Sequence, residues 1–328
     1  MTHQDPSQCA KKPASAHYPG PLIKAPLSGS HRQTFILLHG RGSDGTAFGR
    51  LLLATPIPDF GTLSSALPDA KFIFPTAARS RAKLYKRSTI SQWFDNWALD
   101  SLEEREELQN DGLRETSSYL HELLRKEVGV VGASNVVLGG LSQGCAASLV
   151  ALLLWEGEPL AAAVGMCGRL PYRKKMEEIM REERLAMSAG NEGGDDDIFE
   201  RASVDESSQG GKVEVQALTM SKPDTSPARE AVQFLRDEIE FSKTSAAARQ
   251  PAKLRLQDMP VFLGHGTKDL RVKIGLGRSA AGCLEAMDVD VAWKEYPDLG
   301  HWYSGDMLRD LVIFLRAHTD WKGGEDQG

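Results

Sequence analysis

Val136-Val137-Leu138-Gly139-Gly140-Leu141-Ser142-Gln143-Gly144-Cys145-Ala146-Ala147 is the stretch whose reading decides the fold. Val136 to Leu138 are apolar and β-prone, a run of the length expected of a buried parallel strand. From Gln143 to Leu154 the chain is rich in Ala and Leu and reads as an apolar helix. Between the two lies Gly140-Leu141-Ser142-Gln143-Gly144, a G-x-S-x-G pattern. A sharp strand-to-helix turn lifts a serine oxygen above a sheet, and small flanking residues let neighbouring backbone approach it. The helix then aims its partial positive charge at the same point. Outside that context the pattern arises by chance and marks a Gly-rich turn that packs a helix on a strand.

Working outward, further short apolar runs alternate with helical patterns. Thr34-Phe35-Ile36-Leu37-Leu38 stops at His39-Gly40, and Lys71-Phe72-Ile73-Phe74 stops at Pro75. Residues 161–166, 260–265 and 289–296 read as later strands. Residues 103–127 form an amphipathic pattern with a break near Asn110-Asp111-Gly112, and 305–318 a closing amphipathic helix. Strands alternating with helices predict an α/β fold with a mostly parallel central sheet and helices on both faces.

Residues 1–30 read as a flexible arm ending in a short edge strand, 31–172 and 258–320 as one α/β domain, and 321–328 as a tail. The composition shifts at 173–257. A charged helical segment starts at Arg173, 190–197 is Gly/Asp-rich, 203–212 is polar, and Ser226-Pro227 looks like an N-cap with Pro at the first helical position. This is an insertion before the strand that leads to Asp269, partly helical and partly disordered. A lid is one reading of it and a solvated surface elaboration the other.

A serine hydroxyl is a poor nucleophile near neutral pH and needs a base. Of the 8 histidines, His301 in Leu299-Gly300-His301-Trp302 lies after the last strand and before the last helix. That is the position expected for the chain order Ser, acid, His. His318 falls on the final helix and His121 on a helix before the serine. Asp269 follows the 260–265 strand in His265-Gly266-Thr267-Lys268-Asp269 and is the natural orienting acid, with Asp258 and Asp298 as rivals. His265 has a structural place at the strand end. Oxyanion donors are expected from the backbone N–H of Gln143 and, in the loop His39-Gly40-Arg41-Gly42-Ser43, that of Arg41. The pattern G-x-x-x-x-G-K-[ST] is absent, so a nucleotide loop is poorly supported.

The bulk composition narrows the partners. A net charge of −6 opposes nucleic-acid binding, which needs a basic surface. Cys9, Cys145, Cys167 and Cys283 are scattered without metal-ligand spacing, so neither a disulfide framework nor a metal site is expected. No apolar run approaches the roughly 20 residues of a membrane span, and no signal peptide is visible. A cytoplasmic protein, with a nuclear pool open, is the expectation.

Four blocks together resemble the acyl-protein thioesterase, or phospholipase/carboxylesterase, family of the α/β-hydrolase fold. They are His39-Gly40-x-Gly42, Ser91-Gln92-Trp93-Phe94-Asp95, Gly140-Leu141-Ser142-Gln143-Gly144 and His265-Gly266-x-x-Asp269. Leu299-Gly300-His301 matches the family's last histidine, and Gly168-Arg169-Leu170-Pro171 its small-x-Leu-Pro turn. The resemblance implies a Ser142-His301-Asp269 triad, no cofactor and no metal. It also implies a substrate site built with His39, Gly40, Trp93, Phe94 and Leu170, and acylated small-molecule, lipid or protein substrates with peripheral contact to acyl chains. The chain departs from the family at Arg41, usually apolar, at Leu270, often Pro, and at Cys145, commonly Gly. The insertion is far larger than usual, and 79–87 is unusually basic. A lysophospholipase or small-ester carboxylesterase on the same residues is the alternative enzyme, and a binding protein that has lost catalysis the non-enzyme alternative.

Overall fold

The computed structural model describes residues 17–98, 104–191, 226–242 and 253–321. In chain order its elements are β1 (Leu22–Lys24), β2 (Gln33–Leu38), α1 (Gly45–Ala54), α2 (Leu63–Ala66), β3 (Ala70–Phe74), β4 (Arg79–Ala82), β5 (Ser88–Ser91) and α3 (Asn110–Val131). Then come β6 (Val136–Leu141), α4 (Gln143–Leu153), β7 (Ala162–Met166), α5 (Arg173–Asn191), α6 (Pro227–Glu238), β8 (Val261–Gly266), α7 (Ile274–Glu285), β9 (Val291–Tyr296) and α8 (Gly305–His318). Short 3₁₀ turns join several of them.

Seven strands form one sheet in the order β1-β3-β2-β6-β7-β8-β9. Only β1 runs antiparallel, against β3. The chain moves outward from β2 to β3 and then returns to the other side of β2 as β6. The carboxyl ends of β2 and β6 therefore form a topological switch point, where open α/β sheets leave a crevice. The expected fold class is the observed one, an α/β-hydrolase fold.

Alternate residues of β2 divide the core. Phe35 and Leu37 join Phe72, Phe74, Val137 and Phe262 under α1 and α8. Ile36 and Leu38 join Leu138 under α3, α4 and α7. Both faces are covered, which is why these strands read as continuous apolar runs rather than as an alternation.

Four boundaries differ from the sequence expectation, each for a packing reason. The expected short edge strand is present as β1, but 17–21 before it are also held against the fold rather than loose. Tyr18 stacks on Tyr119 at 4.1 Å and β1 pairs with β3. At the other end Trp321 leaves the expected tail, packs edge-on to Phe35 and donates to Asn135 Oδ1 at 2.9 Å. The expected break at Asn110-Asp111-Gly112 is instead the start of α3. A Cβ on Gly112 would lie 2.5 Å from Phe94 Cα, so this turn accepts only glycine beside the Trp93–Phe94 loop.

The fourth difference is the insertion. Its described helices are neither lid nor loose elaboration. Met176 and Met180 of α5, with Ala231, Val232 and Leu235 of α6, are buried in the same core cluster as Leu138. Phe241 meets His121 edge-on, Arg236 donates to Leu154 O, and Asn110 donates to Glu238 O at 2.9 Å. Apart from 190–191, the Gly/Asp-rich 190–197 and the polar 203–212 lie outside the described residues. Ser226 holds the N-cap position of α6 with Pro227 next, though its side chain makes no capping hydrogen bond. No helix among the described residues is long and apolar enough to cross a membrane.

Since Leu235 is fully buried, Leu235→Ala should lower the unfolding free energy by about 2–5 kcal/mol, as other buried Leu truncations do. The midpoint of a denaturant titration measures it. A change below about 0.5 kcal/mol, the range of surface substitutions, would return α6 to the status of a surface appendage.

Candidate active site

Ser142 sits between β6 and α4 with φ 58° and ψ −118°, a conformation costly for a residue with a Cβ. Two constraints hold it there. The Ser142 N–H donates to Met166 O of β7 at 2.8 Å. On the other side α4 lies so close to β2 that a Cβ on Gly144 would fall 2.5 Å from Leu38 O. The serine is thus lifted above the sheet at the switch point.

His301 reaches it from the loop after β9. Its Nε2 lies 2.8 Å from Ser142 Oγ, and its Nδ1 2.7 Å from Asp269 Oδ2. A carboxylate accepts only, so Nδ1 carries the proton and Nε2 is left to accept from the serine hydroxyl. Asp269 is buried. Its Oδ1 accepts from the N–H groups of Arg271 and Val272 at 2.8 and 2.9 Å. His265 Nε2 stands 3.2 Å from Oδ2 and 2.8 Å from Val272 O. Burial by itself raises the Asp269 carboxyl, but the hydrogen bonds from His265, His301 and the Val272 N–H outweigh it and hold the group well below the usual carboxylate range. Asp258 and Asp298, the rival acids, make no contact with His301. Asp258 pairs with Lys253 and Asp298 with Lys268.

A cleft of about 740 Å³ opens over Ser142 and His301. Gly40, Arg41, Phe94 and Gln143 line it, as the sequence anticipates. Among the described residues the backbone N–H groups of Arg41 and Gln143 have no protein acceptor. Three expected substrate residues do not line it. His39 is fully buried beside the cleft. Its Nε2 accepts from Ala77 N–H at 3.0 Å, so its Nδ1 donates to Gly40 O at 2.7 Å, and burial pushes its pKa down. Trp93 packs against that imidazole and donates from Nε1 to His39 O at 2.8 Å. Leu170 is buried in the core cluster while its neighbour Arg169 faces the cleft. His39 and Trp93 therefore brace the loop that carries Arg41, and Leu170 fills the core.

Several lining residues were missed: Tyr85, Asn96, Arg169, Arg271, Val272 and Trp302. Apart from Tyr85, which lies in the basic 79–87 stretch, each is within or beside a recognised block, but only the folded backbone decides which residue faces inward. Gln143 also has an unforeseen task. Its Oε1 accepts from Trp93 N–H at 3.0 Å and its Nε2 donates to Phe94 O at 2.7 Å. This bond pair ties the Ser-Gln-Trp-Phe-Asp block to the serine turn. Cys145, where the family commonly has Gly, is accommodated because Gly165 and Gly168 leave room for its sulfur.

Cys167, His265 and Asp269 bring potential ligand atoms within 4.8 Å of one another. They fit a metal poorly. The Cys167 thiol already donates to Trp302 O at 3.2 Å, and both Asp269 oxygens already accept from His301, Arg271 and Val272.

Comparisons with known proteins identify relatives of the chain. The phospholipase/carboxylesterase family model matches residues 22–199 and 208–319. The chain is 31% identical over 156 residues to acyl-protein thioesterase 1 of Yarrowia lipolytica, covering 47% of this chain and 65% of that protein. It is 24% identical over 302 residues to acyl-protein thioesterase 1 of Gibberella zeae, covering 90% of this chain and 94% of that protein. Its alignments to the Yarrowia and Cryptococcus neoformans proteins span less than two thirds of their length. The crystal structure of Zea mays acyl-protein thioesterase 2 superposes with a TM-score of 0.59 at 21% identity, covering 91% of this chain and 98% of that one. Arabidopsis thaliana SOBER1 does so with 0.56 at 18%, covering 88% and 99%. At these identities the two structures speak for the fold, and the family model, which spans most of the chain, for the kinship. The chain belongs to the phospholipase/carboxylesterase family, on an α/β-hydrolase fold.

Proposed function

We propose that this protein is a serine hydrolase of acyl esters or thioesters, acting through Ser142, His301 and Asp269. The observation that carries the reading is the position of His301, within hydrogen-bond distance of both Ser142 Oγ and Asp269 Oδ2. In the proposed course Ser142 Oγ attacks the acyl carbon while His301 Nε2 takes its proton. The carbonyl oxygen becomes an oxyanion facing the amides of Arg41 and Gln143. Collapse expels the alcohol or thiol, which receives the proton from His301. Water then attacks the acyl-enzyme, again with His301 as base, and restores Ser142. Asp269 keeps the imidazole in its Nδ1–H tautomer and stabilises the imidazolium. No cofactor enters the scheme.

An acyl-protein thioesterase-like or carboxylesterase activity is the family reading. A lysophospholipase or small-ester carboxylesterase on the same residues is the second, and one observation favours its small-ester form. Arg41, Arg169 and Arg271 border the cleft where a long alkyl chain needs apolar walls. The substrate thus remains an acylated small molecule, lipid or protein.

Ser142→Ala should reduce kcat on p-nitrophenyl esters by about 10⁴-fold or more, in line with other triad knockouts. Activity that survives the substitution would remove Ser142 from the reaction. Graded ester and acyl-thioester chain lengths, assayed on the wild type, should show an optimum at short acyl groups if the arginines shape the pocket. An optimum at C14–C16 thioesters would restore the long-chain thioesterase reading.

Asp269 also makes a pH prediction. Its folded pKa lies below the unfolded value near 3.9. Its contribution to stability is therefore complete above the unfolded value and lost as pH falls through the lower folded one. Asp269→Asn should flatten part of the acid-side loss of stability below about pH 4, read by denaturant titration at several pH values. It should also cost about 10⁴-fold in kcat. An unchanged acid slope with unchanged kcat would leave the carboxylate without this role.

A further inference from the structure

Ester hydrolysis at Ser142 does not require a charged cleft, yet this one is cationic. Arg41, Arg169 and Arg271 line it, and no Asp or Glu does among the described residues. The chain as a whole carries a net charge of −6, so this concentration of positive charge runs against the overall balance. Two of the three cations are also poorly compensated. Arg41 Nη2 donates to the neutral amide oxygen of Asn96, while its Nη1 is buried without a hydrogen-bond partner. Arg169 is almost wholly buried, donates from Nη2 to the neutral Gln109 Oε1 at 2.9 Å, and lies over the Phe94 ring at 5.7 Å. The carboxylates near the pair are Asp95 for Arg41 and Glu106 for Arg169, with the neutral phenols of Tyr85 and Tyr172 beside them. The two guanidinium groups also repel each other. Burial lowers both, Arg169 to about 10, and a guanidinium group keeps its proton at neutral pH.

A buried cation held mainly by neutral partners is costly to the folded state. It is offset when an anion arrives in a site where water is scarce and the charge-assisted hydrogen bond is strong. The approach is positive as well. Tyr85 brings the β4–β5 hairpin to the cleft, and that hairpin exposes Arg79, Arg81, Lys83, Lys86 and Arg87. Such a rim raises the local concentration of an anionic ligand.

We propose that this cleft selects an ester or thioester that itself carries a negative charge, a carboxylate or a phosphate, recognised by Arg41 and Arg169 with Arg271 at the mouth. The inference rests on the hydrolase reading for its turnover but not for its binding. On the wild type, kcat/KM would be measured for p-nitrophenyl hemisuberate against p-nitrophenyl octanoate, which place a carboxylate or a methyl at the end of acyl chains of equal carbon number. A second pair, 1-octanoylglycerol 3-phosphate against 1-octanoylglycerol, places a phosphate or a hydroxyl on the leaving side.

The anionic member of at least one pair should be preferred, and which pair responds tells carboxylate from phosphate recognition. In Arg41→Leu and Arg169→Gln the anionic-to-neutral ratio should fall about tenfold or more, the weight of one charge-assisted hydrogen bond. Exposed Arg271→Leu, which disturbs no core, should lower it less. Because the ratio is taken within one protein preparation, a partly folded variant does not distort it. Calorimetric titration of Ser142→Ala with the same four compounds gives the second readout. Tighter binding of the anionic member, weakened by salt and lost in the double variants with Arg41→Leu or Arg169→Gln, supports the inference even if the wild type turns over none of them. In that case the hydrolase reading falls alone. Equal binding and equal turnover within both pairs overturns the inference. So does an Arg41→Leu variant that slows neutral and anionic members alike, which would assign the charge to the oxyanion.

Discussion

The hydrogen bond from Ser142 N–H to Met166 O, 2.8 Å long, fixes the backbone on which the rest of the site depends. It holds a non-glycine residue at φ 58°, where the serine side chain leaves the sheet instead of lying along it. That strain persists only because the surroundings over-determine it. β6 is paired on both sides, by β2 and β7, over nearly its whole length. α4 is buried along all eleven of its residues. The turn between them has no room to relax into an ordinary conformation.

From that turn the constraint spreads sideways through one side chain. The Gln143 amide spans from the serine turn to the backbone of Trp93 and Phe94. The Trp93 indole in turn holds His39 O, and His39 holds Gly40 O and Ala77 N–H. Four loops, those that follow β2, β3, β5 and β6, are thereby locked to one another. The amides of Arg41 and Gln143 are left without an acceptor among the described residues. Adjacent aromatic residues near such a site invite joint assignment to its walls, but here Trp93 serves the scaffold while Phe94 reaches the cleft. The acid side is held as firmly. Asp269 accepts from two backbone N–H groups and from His301, with His265 beside it, which fixes both carboxylate oxygens before any substrate binds.

The insertion obeys the same economy of burial. A charged composition at 173–191 suggests a surface segment, yet Met176 and Met180 share one face of α5 at helical spacing and disappear into the core. α6 brings Val232 and Leu235 to the same cluster, and Arg236 satisfies Leu154 O at the end of α4. The helix layer on that face is thicker than a minimal sheet cover requires. None of its described residues lines the cleft.

By itself the sequence determined the alternation of strands and helices, the serine turn, and the order Ser142, Asp269, His301. These are local properties: apolar runs of strand length, a glycine-flanked serine between a strand and a helix, and polar residues just past strand ends. It also put Asp269, just past the 260–265 strand, ahead of Asp258 and Asp298, and the structure decides among them by the contact of Asp269 with His301. Tertiary structure alone decided which way the flanking residues face. Arg169 turns into the cleft and Leu170 away from it, though they are adjacent in the chain, because the turn after β7 presents alternate residues to opposite sides. Likewise the partnership of Gln143 with Trp93, 50 residues apart, and the docking of Trp321 on Phe35 have no local signature. Contacts between distant segments depend on how two elements pack, and periodicity within either one does not report that.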